Sequence, residues 1–299
     1  MLNVTWMRTL REVAERGSFS AAAQEMAFTQ PAVSRQVALL ERQAGVPLVA
    51  RTRQGVRLTD AGRLLVGHAD AIIARLDAAE EQLAELAGLK RGRVRVGAFA
   101  SALAHLAPRA VAAMRERHPG IDVSLSLAGR DEALAALRAG RLDMALIFTG
   151  ADDARPPEPE VELTPLFDDR FAVVLPPDHR LAGRRRVRLR ELAGDPWIQG
   201  ASGGPASRLV QRACRAAGFE PRIAFETDDP LVTWGLVAAG VGVALASGFG
   251  LAAVPADVSV CSLGADSPVR HIEAATLQGL RTPAQAALLD VLGTLTRSW

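Results

Sequence analysis

The sequence predicts an α/β protein in which a small helical unit and one long helix precede a two-lobed domain of alternating strands and helices. Three observations carry that prediction. Residues 1–65 hold nine arginines against five acidic residues, or +4, whereas the whole 299-residue chain carries only +2. Leu65, Ala69, Ile72, Leu76, Ala79, Leu83 and Leu86 then alternate spacings of four and three, an apolar heptad seam. From Arg93 onward, runs of strand length alternate with helical periodicity, a succession that builds mainly parallel sheets with ligand crevices at the strand ends. With 49% hydrophobic and 23% charged residues, the composition excludes a disordered chain.

In chain order, Met7, Leu10 and Ala14 share one side of a first helix that Gly17 stops, and Ser18 is placed to cap a second over 19–26. Thr29 caps a third, whose first turn holds Gln30 and Pro31, where proline's missing N–H has no intrahelical partner. Val33, Val37 and Leu40 form its buried stripe and leave Gln30, Ser34 and Arg35 outside. With the tight Ala27-Phe28 turn, residues 19–38 make a helix-turn-helix. Segments 48–52 and 55–58 flank Arg53-Gln54 as a β-hairpin, or wing, completing a unit over 1–60. Thr59 caps the long helix of 61–90 and Asp60 favours its first turn; the strict seam points to pairing with a second helix.

Within 91–299, strands are expected at 94–99, 121–127 and 142–148, with helices at 102–117 and 131–139 between them. After the polar stretch 152–159 come strands near 161–167 and 171–175, then a second series at 197–199, 206–217, 222–226, 231–239 and 242–246. A strand over 269–277 and a helix over 283–297 close the chain. The two breaks imply two lobes, about 93–165 with 269–299 and about 166–268. Residues 231–256 carry no charge and are long enough to cross a bilayer, but five glycines interrupt them. They read as a buried helix, turn and strand, and no membrane partner is expected.

The helix-turn-helix points to double-stranded DNA. A helix fits the major groove, and Gln and Arg suit bidentate contacts with adenine and guanine, so Gln30, Ser34 and Arg35 are the base-reading candidates. Arg51, Arg53 and Arg57, on or beside the wing, suit phosphates, which position without reading sequence.

The stretches LREVAERGSFSAAA (10–23) and TQPAVSRQV (29–37), then Leu39-Leu40-Glu41, Gly45-Val46-Pro47-Leu48 and Leu58-Thr59-Asp60-Ala61-Gly62, closely resemble LysR-type transcriptional regulators. The resemblance is dense over the first 65 residues, and the order that follows is similar to that family's to the chain's end. Two departures stand out. Val49-Ala50-Arg51 lies where the family usually has phenylalanine before the arginine, and Ala246-Ser247 replaces a common leucine-proline. The resemblance implies a winged helix-turn-helix, a coiled-coil linker and a type II periplasmic-binding-protein-like effector domain. It further implies a homo-oligomer, dimeric through the linker helix and assembled into a tetramer, controlled by a small-molecule effector between the lobes. The DNA-facing set it implies is Ser18, Ser20, Thr29, Gln30, Pro31, Ser34, Arg35, Arg51 and Arg53. The effector set is Ala100, Ser101, Ala128, Gly129, Phe148, Thr149, Ser202, Gly203 and Thr227. Helices beginning just past Ala100-Ser101 and Ser202-Gly203 would aim free N–H groups into one cleft, which suits a carboxylate-bearing metabolite.

Other patterns give competing readings. Gly200-Ala201-Ser202-Gly203-Gly204 fits the G-x-S-x-G elbow of a serine hydrolase, with Asp228 or Asp229 and His271 following in order. The short Asp195-Pro196-Trp197-Ile198-Gln199 before it makes a poor buried strand, so a helix cap explains Ser202 more simply. A ligand-independent DNA-binding protein is a third reading. Five histidines show no metal-ligand spacing, and neither metal nor cofactor is expected. Cys214 and Cys261 form no CxxC pair, and no export signal precedes Arg8, so the expected compartment is the cytoplasm. The run Arg184-Arg185-Arg186 with Arg188 and Arg190 reads as a solvated face.

Overall fold

The computed structural model describes residues 1–52, 55–86, 92–150, 158–279 and 281–297. Its N-terminal unit packs α1 (Val4–Arg16), α2 (Phe19–Glu25) and α3 (Gln30–Ala44) around one apolar core. Gly17, at φ +63°, ends α1 in the left-handed region, and Ser18 Oγ accepts the Ala21 N–H that α2 leaves open. Between α2 and α3, Ala27 holds φ +54°, the strained position of the tight turn. Val33, Val37 and Leu40 are buried as the periodicity requires. On α1 the buried stripe is Met7, Leu10 and Val13, and Ala14 is only half-buried. The wing, β1 (Val49–Thr52) and β2 (Gly55–Leu58), is antiparallel and docks on the α1–α2 turn through Val56 N–H to Gly17 C=O at 2.9 Å.

The linker, α4 (Asp60–Leu86), starts at the Thr59 cap, whose Oγ accepts Gly62 N–H. Its seam splits in two. Ala69, with Ile73 rather than Ile72, packs into the N-terminal core, because that domain sits on one side of the helix. Ile72, Leu76 and Leu83 stay 40%, 41% and 65% exposed. Asp70, buried in the middle, faces Arg11 of α1 at 3.8 Å and Arg141 of the effector domain at 3.4 Å. Beside it, Gly140 (φ +67°) approaches the helix so closely that a Cβ there would lie 2.3 Å from Ala74 Cβ and 2.7 Å from Asp70 C=O.

The effector domain is mixed rather than mainly parallel. β3 (Gly92–Ala98) pairs in parallel with β4 (Ile121–Leu127) and β5 (Met144–Gly150), flanked by α5 (Ala100–His105), α6 (Ala107–Arg117) and α7 (Arg130–Arg138). The expected single helix over 102–117 is two, broken at Leu106 where Pro108 starts a new first turn. The expected strands near 161–167 and 171–175 are one strand, β6 (Val161–Leu175). Its first two thirds pair with β11 (Val269–Leu277) and its end with β9 (Ala244–Ser247) and β10 (Ser259–Ser262), all antiparallel. The lobes therefore meet where β6 changes partners, at Arg170–Phe171. The second lobe adds β7 (Pro196–Gln199) parallel to β8 (Arg222–Glu226), with α8 (Pro205–Ala216) and α9 (Pro230–Ala238). The uncharged stretch after 231 folds as α9, β9 and a short α10 (Gly248–Leu251). No helix among the described residues is long and apolar enough to cross a membrane. α11 (Pro283–Thr296) returns to the first lobe's core.

Candidate functional site

Two surfaces carry the expected residues. On α3, burial of Val33 and Val37 turns Gln30, Pro31 and Arg35 to solvent, with Ser34 half-buried beside them. Thr29 caps the helix by backbone conformation and is exposed, as is Ser20 on α2; Ser18 is engaged as a cap. The exposed row lies at the helix's N-terminal end, the part that enters a major groove in helix-turn-helix proteins. Arg53 lies outside the described residues, and of Arg51 the strand backbone alone is described.

The second surface lies between the lobes, and its two sides differ in charge. On the first lobe, Ser101 opens α5 just past β3, and its Oγ accepts a hydrogen bond from Arg270 Nη2 at 3.0 Å. Arg270 is the residue that sequence reasoning missed. It stands opposite Asp169 in the β6–β11 register and grips that carboxylate through Nε at 2.8 Å and Nη2 at 2.6 Å. Four phenylalanine rings, Phe99, Phe148, Phe171 and Phe249, surround its guanidinium with centroids 4.9–5.8 Å from Cζ. Burial pushes the Arg270 guanidinium down from its ordinary value, opposed by Asp169. The other Asp169 oxygen accepts Gly248 N–H at 2.7 Å, so the pair joins Ser101 on one lobe to α10 on the other.

On the second lobe, Ser202 is already held by an acid. Glu226 accepts Ser202 N–H at 3.3 Å and Gln199 Nε2–H at 3.1 Å, and the Ser202 and Gln199 hydrogen bonds hold its carboxyl below the usual range. Asp228 accepts Ala201 N–H at 3.0 Å. The loop before α8 thus meets carboxylates of the protein's own, with Gly203 exposed beside them.

The remaining expected residues divide. Phe148 joins the Arg270 cage, whereas Thr149, next along β5, faces the opposite side of the sheet and bonds Glu273 at 3.4 Å, as strand alternation requires. Ala128 is buried with its N–H on Ala98 C=O, Gly129 caps α7, and Thr227 holds Asp229 N–H. Ala100 is exposed at the start of α5. The hydrolase constellation is not assembled: His271 bonds Asp168 at 2.6 Å, and Asp229 caps α9. Among the described residues, no group of three or more His, Cys, Asp or Glu could hold a metal ion. Cys214 and Cys261 are fully buried, and burial pushes the Cys214 thiol up to about 12, so it offers no reactive thiolate.

Comparison with known proteins matches both domains. Residues 87–297 match the model of the LysR substrate binding domain, and residues 4–63 that of the bacterial regulatory helix-turn-helix protein, lysR family. The chain is 33% identical over 297 residues to the HTH-type transcriptional regulator ShiR of Corynebacterium glutamicum, covering 97% of this chain and 98% of that one. It is 34% identical over 206 residues to the RuBisCO operon transcriptional regulator of Allochromatium vinosum, covering 69% and 66%. Among solved structures it resembles a full-length OxyR variant from Pseudomonas aeruginosa, with TM-score 0.78, 22% identity and coverage of 99% and 95%. It also resembles full-length CbnR in complex with its target DNA, with TM-score 0.68, 23% identity and coverage of 97% and 99%. With both family models matched in order and a relative aligned almost end to end, the chain belongs to the LysR family of transcriptional regulators and is not an enzyme.

Proposed function

We propose that this regulator reads a specific operator through Gln30, Ser34 and Arg35, with the wing arginines on flanking phosphates, under control of a small effector between the lobes. The observation that carries the reading is the exposed polar row at the N-terminal end of α3, set on a buried apolar stripe. Selection of duplexes from a random pool, followed by titration of variants, tests it. Gln30→Ala and Arg35→Ala lose about 1–3 kcal/mol of discrimination per bidentate contact, while Arg53→Ala weakens selected and random DNA alike and lowers the salt slope by about one. Equal losses on both DNAs for all three variants refute the assignment.

The charge difference across the cleft refines the effector. A carboxylate suits the Ser101 side, next to Arg270, whereas Glu226 and Asp228 on the Ser202 side call for a donor. The effector is then a small monocarboxylate bearing a hydroxyl or amino group, and the buried cysteines argue against a peroxide signal read by a thiol. Exposed Ile72, Leu76 and Leu83 support a dimer through the linker helix, the seam's strict spacing matching helix-to-helix pairing. A second apolar surface at the sheet edges, Leu125 and Leu127 on β4 and Phe225 on β8, supports a tetramer built from two interface types. The compartment we assign is the cytoplasm, where such a protein meets DNA.

A further inference from the structure

The arginine run of the second lobe is more than a solvated face. Val187 and Leu189 point into the second lobe's core and leave Arg186 and Arg188 exposed on the other side; Arg190, in the single 3-10 turn Leu189–Leu192 that buries Leu189 and Leu192, is exposed with them. There they form one wall of a cavity of about 770 Å³, the size of a small-molecule site. Leu209, Ala213 and Ala216 of α8 provide an apolar floor kept deep by small residues, and Phe148 of the first lobe closes one end. Gly264, at φ +60°, makes room for this wall: a Cβ there would fall 2.0 Å from Arg186 Nε and Nη2. Arg212 also lines the cavity and has an interaction of its own, and Asp266 accepts Leu189 N–H at 3.2 Å. Even with Arg212 set against Asp266, the charges of Arg186, Arg188 and Arg190 remain, and none of the three makes an ion pair among the described residues.

We propose that this basin is a second ligand site, for an organic anion carrying at least two phosphate or carboxylate groups on a small body. Guanidinium forks match both headgroups bidentately, and three of them on one wall require more than one negative charge. Of the expected effector residues only Phe148 lines the basin, and Ser101 and Ser202 do not, so it adjoins the effector cleft and shares one wall with it. Because its walls come from both lobes, an occupant binds one lobe orientation better than another and shifts the population between them.

Calorimetric titration of the full-length chain with citrate, inorganic pyrophosphate and acetate at fixed ionic strength tests the proposal. Saturable binding of citrate or pyrophosphate is expected, with none for acetate, and the tighter of the two identifies the preferred headgroup. The Arg186→Ser/Arg188→Ser double variant weakens it roughly tenfold or more. Ala216→Phe, which fills the floor without touching a charge, weakens it as well. Arg185→Ser, one residue away and outside the basin, leaves it unchanged, as do Ser101→Ala and Ser202→Ala. Absence of saturable binding by either polyanion overturns the proposal. So does an equal loss in Arg185→Ser, which means a diffuse field, or a loss in either serine variant, which puts the anion in the effector cleft.

Discussion

Asp169→Ala isolates the strongest polar interaction in the effector domain. The carboxylate is 2% exposed and the Arg270 side chain 7%, so solvent screening that reduces an exposed pair to about 0–1 kcal/mol is absent. Two charges about 4 Å apart at an effective dielectric of about 20 attract by about 4 kcal/mol, and removing one partner of a buried pair costs about 3–5 kcal/mol. The substitution also leaves Gly248 N–H without its acceptor, about 1 kcal/mol more. The four rings surround the guanidinium in both proteins, so their attraction does not enter the difference. The net expectation is a loss of about 4–6 kcal/mol. Urea unfolding of the full chain in a Trp6→Phe/Trp299→Phe background, followed by fluorescence of buried Trp197 and Trp234, reports the second lobe. In a cycle of Asp169→Leu, Arg270→Met and the two together, the double variant should cost less than Asp169→Leu alone, since no unpaired charge then stays buried, a coupling of about 3 kcal/mol. Additive losses across the cycle refute the reasoning and reduce the pair to two independent packing contributions.

Two further outcomes follow from the linker helix. Ile72→Glu or Leu76→Glu places a charge in the exposed seam and should shift the full-length chain to a smaller species in sedimentation; an unchanged distribution means the seam does not pair. Burial raises the Asp70 carboxyl above its ordinary value, with Arg11 and Arg141 opposing, so the ionised form weighs against the fold at neutral pH. That penalty is present above the raised value and disappears as pH falls through it toward the unfolded value of about 4. The wild type should therefore gain stability relative to Asp70→Asn on acidification, and parallel pH profiles of the two refute the assignment.

The sequence made the N-terminal unit legible because its signals are local: Gly17, Thr29, Pro31 and the Val33–Val37–Leu40 spacing each act within a few residues. The interlobe cluster was hidden for the opposite reason. Asp168-Asp169-Arg170 falls between two expected strands and nothing local marks Arg270 within its own, until strand register across 101 residues sets Arg270 against Asp169 and buries both. The same distance effect hid β10, a four-residue strand with weak propensity of its own that exists because the end of β6 offers it an edge. Ser202 shows a subtler limit. Its position at the mouth of α8 is readable, but the acid that occupies it comes from β8, whose parallel pairing with β7 places Gln199 opposite Glu226.

The close approach of Gly140 to the linker helix bears on how such regulators could be recombined. A chimera that grafts this effector domain onto a foreign DNA-binding unit would keep its reading head and its sensor, yet lose the seat between them unless residue 74 stays small and residue 140 stays glycine. At that seat only the Ala74 methyl and the Asp70 carbonyl stand against Gly140, with the Asp70–Arg141 pair beside them, so a tilt of the sensor passes to the helix with little slack. A graft that preserves both folds but fills this gap should give a DNA-binding protein deaf to its own ligand.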